Sequence, residues 1–306
     1  MKTTAVTPAD LASSVLAVPP LARHADLTLN HAANKTLIDH MQAGGVRTLM
    51  YGGNANFYNI GTVEYPAILD MLEKYAAKDT WVIPSVGCDF GKAFDQISIL
   101  RERQFPTAMV LPQQFPSTNA GLATGIRKLA ERYAKPLIVY IKSTDYLDAQ
   151  SLAALDRDGC VALVKYGNVL TNPLDDDYLK TLIQAVGTRK IISGIGERPA
   201  IVHLRDFGLQ GFTSGSVCVA PRGSMAILKA LKAKDYALAG TIRAAYLALE
   251  DARDEINPIR ALHEAVTLAG IADMGPMLPM LSNMAEEHFP RVRAAARALL
   301  AYDRTV

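Results

Sequence analysis

Eight short apolar runs rich in β-branched residues recur along the chain, each followed by a polar or amphipathic segment, and this alternation limits the possible folds more than any other feature. The runs are SSVLAVP (13–19), RTLMYGG (47–53), WVIPSVG (81–87), TAMVLP (107–112), PLIVYIK (136–142), CVALVKYG (160–167), KIISGIG (190–196) and GFTSGSV (211–217). Several are apolar at consecutive positions, as strands buried on both faces of a parallel sheet require. The segments between them read as helices. VEYPAILDMLEKYAAKD (63–79) sets Tyr65, Ile68, Leu69 and Leu72 on one stripe with its charges opposite. NAGLATGIRKLAERYAK (119–135) opens on Asn119 as a cap and stops before Pro136. DDDYLKTLIQAVG (175–187) has acids in its first turn and a glycine stop. Eight strand–helix units predict a (β/α)₈ barrel; a doubly wound open sheet is the alternative, and the regularity favours closure.

After residue 222 the strands cease. GSMAILKALKAKDYALAGTIRAAYLALEDARDE, PIRALHEAVTLAG and SNMAEEHFPRVRAAARALLAYDR read as helical throughout. We therefore expect residues 1–222 to form the barrel core and residues 223–306 a helical extension packed on it. A chain of 306 residues has ample length for such a core.

The 32 basic and 30 acidic residues nearly cancel, leaving a net charge of +2. That balance carries no electrostatic footprint for nucleic acid or an anionic membrane, both of which need clustered excess charge. Only LKALKAKDY is locally basic, and its spacing makes it a solvated helix face. Cys88, Cys160 and Cys218 are odd in number and far apart, so we expect reduced, buried thiols and a cytoplasmic protein. The opening MKTTAVTPADLASSVLAVPP lacks a signal peptide's pattern, and no apolar run is long enough to span a bilayer.

In a barrel of this kind, active sites form at the C-terminal ends of the strands. Lys165 lies near the end of the sixth run, inside CVALVKYG. An amine there is either held dry, with a depressed pKa and a free electron pair for carbonyl attack, or it snorkels past the strand end or pairs with an acid. Tyr140, near the end of the fifth run, is one strand away and suits a proton carrier, although a packed tyrosine with a satisfied hydroxyl is the ordinary alternative. Lys142, two residues beyond it on the same face, is a rival amine with less apolar sequence around it; we expect the reactive lysine to be Lys165.

YGGNANFYN (51–59) follows the second strand. Gly52 and Gly53 admit close backbone approach to a ligand and Asn54 adds an amide donor, which suits a carboxylate; a plain glycine turn is the alternative. SGIGERP (193–199) offers Gly194 and the polar Glu197, without the later glycine of a dinucleotide fingerprint. GFTSGSVCVAP offers Ser214, Gly215 and Ser216 where barrels often bind phosphate, with Thr213 beside them as a further substrate contact; tight packing of the eighth strand explains small residues there equally well, and only Arg198 and Arg222 supply positive charge nearby. No acidic cluster or metal-spaced histidine pair and no serine elbow is present. His31, His40, His203, His263 and His288 fall on helical segments, and His24 is a weak candidate after the first strand.

With these residues in place, the chain resembles the dihydrodipicolinate synthase/N-acetylneuraminate lyase family of class I aldolases. The resemblance runs through GGVRTLMYGGNANFYNIGTVEY, WVIPSVG, PLIVY, VALVKYGN, IISGIGE, GLQGFTSGSVCVAP and NPIRALHEAVTLAG, in that order and spacing. It implies a (β/α)₈ barrel that assembles as a dimer or tetramer and uses no metal or organic cofactor. It makes Lys165 the Schiff-base lysine and Tyr140 the proton-shuttling tyrosine, acting on a pyruvate-like 2-oxo acid. The chain also departs from the family. The loop that usually reads Gly-Thr-Thr-Gly-Glu is here Gly52-Gly53-Asn54-Ala55-Asn56, so the synthase's hydroxyl relay is missing. Gln114 stands where the synthase has a tyrosine donated across the dimer interface, and Asp145 where it has an arginine that grips its aldehyde substrate's carboxylate. An aspartate repels a carboxylate. The expectation is therefore a lyase or aldolase of the 2-oxo acid class that is not a lysine-pathway synthase. The alternatives are a sugar-acid dehydratase, a barrel that binds a metabolite without turnover, and a phosphate-handling barrel enzyme.

Overall fold

In the computed structural model, residues 1–306 are described except Gln114 and Asp145, so two of the departures just named lie outside the described residues. All eight apolar runs contain strands: β1 (Leu16–Ala17), β2 (Thr48–Tyr51), β3 (Trp81–Val86), β4 (Met109–Val110), β5 (Leu137–Ile141), β6 (Val161–Tyr166), β7 (Ile191–Ser193) and β8 (Thr213–Ser214). They form one sheet in the order β7-β6-β5-β4-β3-β2-β1-β8. Every pairing is parallel. A parallel bridge between Ser193 and Phe212, with Ser193 N–H donating to the Gly211 carbonyl at 3.0 Å, brings β7 to β8 and closes the barrel. The (β/α)₈ architecture with additional C-terminal helices is thus the observed one. The consecutive apolar positions have the expected cause. All of β2 and β3 is buried, because one face fills the barrel and the other lies under the helices.

The helices end where local chemistry dictates. Asp176 caps the helix Asp177–Val186 by accepting from the Leu179 N–H at 2.9 Å, and Gly187, at φ 79°, supplies its left-handed stop. One expected cap was misplaced by a residue. The helix Asn119–Tyr133 is capped by Thr118, whose hydroxyl accepts from the Gly121 N–H at 3.1 Å, and Asn119 is its first helical residue. A threonine in extended backbone does the same work as an asparagine, and the sequence allowed either.

The C-terminal third departs from the expectation of unbroken helix. Residues 221–256 form three helices, Pro221–Lys232, Tyr236–Ala244 and Leu247–Ile256, because Asp235 recaps the chain through the Leu238 N–H. Asn257 then caps Pro258–Leu268, with proline at the first turn. Residues 269–285 contain no helix, so the start of SNMAEEHFPRV is extended, and the final helix begins only at Phe289. Helix Pro258–Leu268 packs both on Phe289–Asp303 and on the turn that follows β2, which carries the C-terminal region over the open end of the barrel. No helix among the described residues is long and apolar enough to cross a membrane.

Candidate active site

Residues at the C-terminal ends of the strands come together through register. In the β5–β6 pairing, Tyr140 is the direct partner of Lys165, and on the other side Lys165 pairs with Ile192 of β7. Lys165 is the fifth of six residues in β6 and only 5% exposed. Its Nζ lies 4.2 Å from the centroid of the Tyr140 ring. Among the described residues no acid stands within salt-bridge reach of it. Burial among apolar neighbours, reinforced by the charge of Lys142, lowers its pKa to about 7. At neutral pH a large share of the amine is therefore uncharged and nucleophilic. The same burial pushes the Tyr140 phenol up to about 12, partly offset by the Arg253 charge, so the phenol keeps its proton.

Both residues line a cavity of about 220 Å³ that also takes in Gly53, Asn54, Tyr58, Lys142, Gly194, Thr213 and Arg253. That size suits a small acid rather than a nucleotide-sized cofactor. A second cavity of about 510 Å³ lies between helices Phe90–Arg101 and Asn119–Tyr133, but its walls are mostly apolar and it lacks the lysine. No group of three or more His, Cys, Asp or Glu among the described residues is arranged to hold a metal ion.

The expected binding residues divide into two sets. Gly53, Asn54, Gly194 and Thr213 reach the cavity. Gly53 and Asn54 open a 3₁₀ turn, whose first N–H groups have no acceptor within the turn. The Asn54 side chain is partly committed, since its Nδ2 donates to the Val18 carbonyl at 2.9 Å. Gly194 is needed for packing as well: a Cβ there would sit 2.6 Å from the Tyr166 carbonyl oxygen and 3.0 Å from the Lys165 Cγ.

Gly52, Glu197 and Ser214 lie behind the wall. Gly52 is buried beneath the turn, where a Cβ would meet the Met109 Cε at 2.6 Å, so its smallness serves the barrel interior. The Glu197 carboxylate is fully buried and accepts from the Ser214 hydroxyl and, at 2.6 Å, from the Ser224 hydroxyl. It sits beside Glu250, whose Oε1 accepts from the Glu197 and Arg198 N–H groups at 3.0 and 3.3 Å. Burial raises the pKa of both carboxyls. This pair therefore braces the base of helix Glu197–Arg205 rather than meeting a ligand. Arg198 and Arg222, the two positive charges considered for phosphate, are turned to Asp251 and Asp303. His24 is exposed and outside the cavity, while His203 is buried with its Nδ1 2.8 Å from the Ser193 hydroxyl.

The sequence reading missed Tyr58, Arg253, Asp254, Asn257, Ile259 and Leu262, all on the cavity wall. Asn257-Pro258 is a legible helix start. Nothing in a linear pattern shows that this start closes over a site built from strand ends far earlier in the chain.

No family model and no curated protein sequence matches the chain. Solved structures do. The chain is similar to dihydrodipicolinate synthase from Bacillus clausii, with 18% identity, a TM-score of 0.82 and coverage of 97% of this chain and 99% of that one. It is similar to Ruminococcus gnavus sialic acid aldolase at 14% identity and TM-score 0.83, covering 96% and 99% of the two chains. It is also similar to YagE of E. coli K12, a protein of the dihydrodipicolinic acid synthase family solved in complex with pyruvate, at 20% identity, TM-score 0.77 and coverage of 95% and 99%. Likeness at these identities establishes a shared fold over nearly the whole length of each chain, and it agrees with the resemblance carried by the motifs.

Proposed function

We propose that this chain is a divergent member of the dihydrodipicolinate synthase/N-acetylneuraminate lyase family, a lyase or aldolase that forms an imine between Lys165 and a 2-oxo acid. The observation that carries this reading is a buried lysine with no acid partner among the described residues, in register with a tyrosine, on the wall of a small cavity. The neutral Nζ attacks the substrate's C2 carbonyl and forms a carbinolamine. Tyr140, holding its proton, protonates the departing oxygen, and water leaves. The resulting imine draws electrons, so a carbon–carbon bond or a C–H bond next to it can break, with the phenolate taking up or returning a proton. Gly53 and Asn54 N–H groups hold the carboxylate. Solution of YagE with pyruvate bound supports a pyruvate-type ligand here.

A second reading, a barrel that binds its ligand without turnover, is favoured by one feature. The turn Gly53–Ala55 offers no hydroxyl to relay protons from Tyr140. A sugar-acid dehydratase uses the same imine and differs only in which bond breaks. Incubation with pyruvate and borohydride tests the reading. We expect a reduced adduct that peptide mapping places on Lys165 and that Lys165→Ala abolishes. An adduct on Lys142 would move the reactive centre, and no adduct with any of a panel of 2-oxo acids would favour binding without turnover.

A further inference from the structure

A further cavity, of about 580 Å³, is lined by residues that precede β4, β5 and β7 and by the first residues of β6. It therefore lies at the N-terminal ends of the strands, opposite the cavity of Lys165. Its floor is Val161–Leu163 of β6, with Pro136 ahead of β5 and Pro106 ahead of β4. Ala162, on this floor, is the one residue of β6 that is not fully buried. Residues 3–7 run along one side between two anchors. The Lys2 N–H donates to the Thr80 carbonyl at 2.7 Å, and the Lys2 ammonium pairs with Asp10 at 2.9 Å, next to the buried Leu11.

The charged residues on this wall are Lys135, Arg189 and Lys190, all cations; among the described residues no acid lines it. Lys190 is paired with Asp156. The other two have no ion pair among the described residues. The Lys135 Nζ donates to the Phe105 carbonyl at 2.7 Å and lies 5.1 Å from the centroid of the Tyr133 ring. Burial lowers its pKa, as for a cation without a counter-charge. Arg189 is exposed, on the turn Thr188–Lys190. Lys135 stands two residues before β5 and Arg189 two before β7, and β6 lies between those strands. Neighbouring strands run roughly 5 Å apart, so the two backbones flank the apolar floor at about 10 Å.

We propose that this cavity is a second ligand site, for a monocarboxylic acid with an apolar body. The hydrocarbon lies on the β6 floor and the carboxylate is held by Lys135 and Arg189. Apolar burial supplies the affinity, and the two cations select the anion. The volume is ordinary for a small-molecule site. Nothing in this assignment depends on imine chemistry at Lys165.

The test is calorimetric titration of the full chain with octanoate, and with octylamine, equal in length and opposite in charge. We expect saturable binding of octanoate at one site, at least about tenfold tighter than octylamine, the factor one charge-assisted hydrogen bond supplies. Lys135→Gln combined with Arg189→Gln, two changes at the rim, should erase that difference. Ala162→Phe, which fills the floor, should abolish octanoate binding, while Lys165→Ala should bind octanoate as the unaltered protein does. Absence of octanoate binding, equal binding of the two amphiphiles, or a preference that survives the double glutamine variant overturns the proposal. Octanoate binding lost in Lys165→Ala also overturns it, by placing the acid in the other cavity. Should Ala162→Phe fail to fold, the double glutamine variant decides alone. Failure of pyruvate trapping would sink the imine reading and leave this site untouched.

Discussion

Burial acts in opposite senses on an amine and a phenol, because in each case it penalises the charged form. Lys165 is driven toward a neutral nucleophile at about pH 7 while Tyr140 is kept a protonated donor up to about pH 12. Burial thereby prepares both partners of a carbinolamine dehydration. Trapping of a 2-oxo acid should therefore rise as pH increases through about 7, where Lys165 loses its proton, and level off above it. Lys142→Gln removes the like charge that helps depress Lys165, so its midpoint should lie at higher pH than that of the unaltered protein; stopped trapping across pH 5.5–9, in steps of about half a unit, measures both. Tyr140→Phe keeps the ring under Lys165 and deletes only the hydroxyl. Turnover should fall by about 10²–10⁴-fold with little change in ligand affinity. Turnover equal to the unaltered enzyme's, in a variant of matched folding, would remove Tyr140 from the mechanism.

At the scale of elements, the site depends on how closely β6 and β7 approach. The Gly194 N–H donates to the Tyr166 carbonyl at 2.6 Å, leaving no room for a side chain. Gly194→Ala must push backbone against backbone beside Lys165, and should cost about 1–3 kcal/mol in urea unfolding along with loss of trapping. Helix Glu197–Arg205 is tied to the same strand through His203, buried and held down to about pKa 4 by burial. Below about pH 6.5 the unfolded chain takes up a proton that the folded His203 refuses until about 4, so this residue makes stability fall as pH drops across that window. Unfolding measured at pH 7 and pH 4.5 should show a smaller acid loss in His203→Leu than in the unaltered protein. These elements also show what the sequence could display. Strands buried on both faces write themselves as apolar runs, and a lysine inside one is conspicuous, so β6 and Lys165 were legible. That Tyr140 pairs with Lys165 followed from both lying near the ends of successive runs. Glu197 and Ser214 misled because a buried, mutually bonded polar pair has the same composition as a ligand site. Arg253 and Tyr58 were invisible because their place depends on how helices and turns fold over the strand ends.

Over the whole molecule, one hydrophobic core runs from Leu11 to Leu300 and joins barrel to C-terminal helices. Cavity residues come from both sides of residue 222. We propose that the helical region 223–306 is an extension completing the site, and expect a chain ending at residue 222 to lose both cooperative unfolding and trapping. The homo-oligomer implied by the family resemblance is also a proposal. Phe115, 88% exposed, and Phe90, 46% exposed, flank the apolar cavity of about 510 Å³, and we expect this face to be covered by a second copy. Sedimentation of Phe115→Ser should then show a smaller species than the unaltered chain; an unchanged species would place the contact elsewhere. The central claim, that Lys165 forms an imine with a 2-oxo acid, is tested most directly by a crystal structure of the protein soaked with pyruvate and reduced in place. The account predicts continuous density from the Lys165 Nζ to the ligand's C2, with the carboxylate against the Gly53 and Asn54 N–H groups. Density ending short of Lys165, or a link to Lys142 instead, would contradict it.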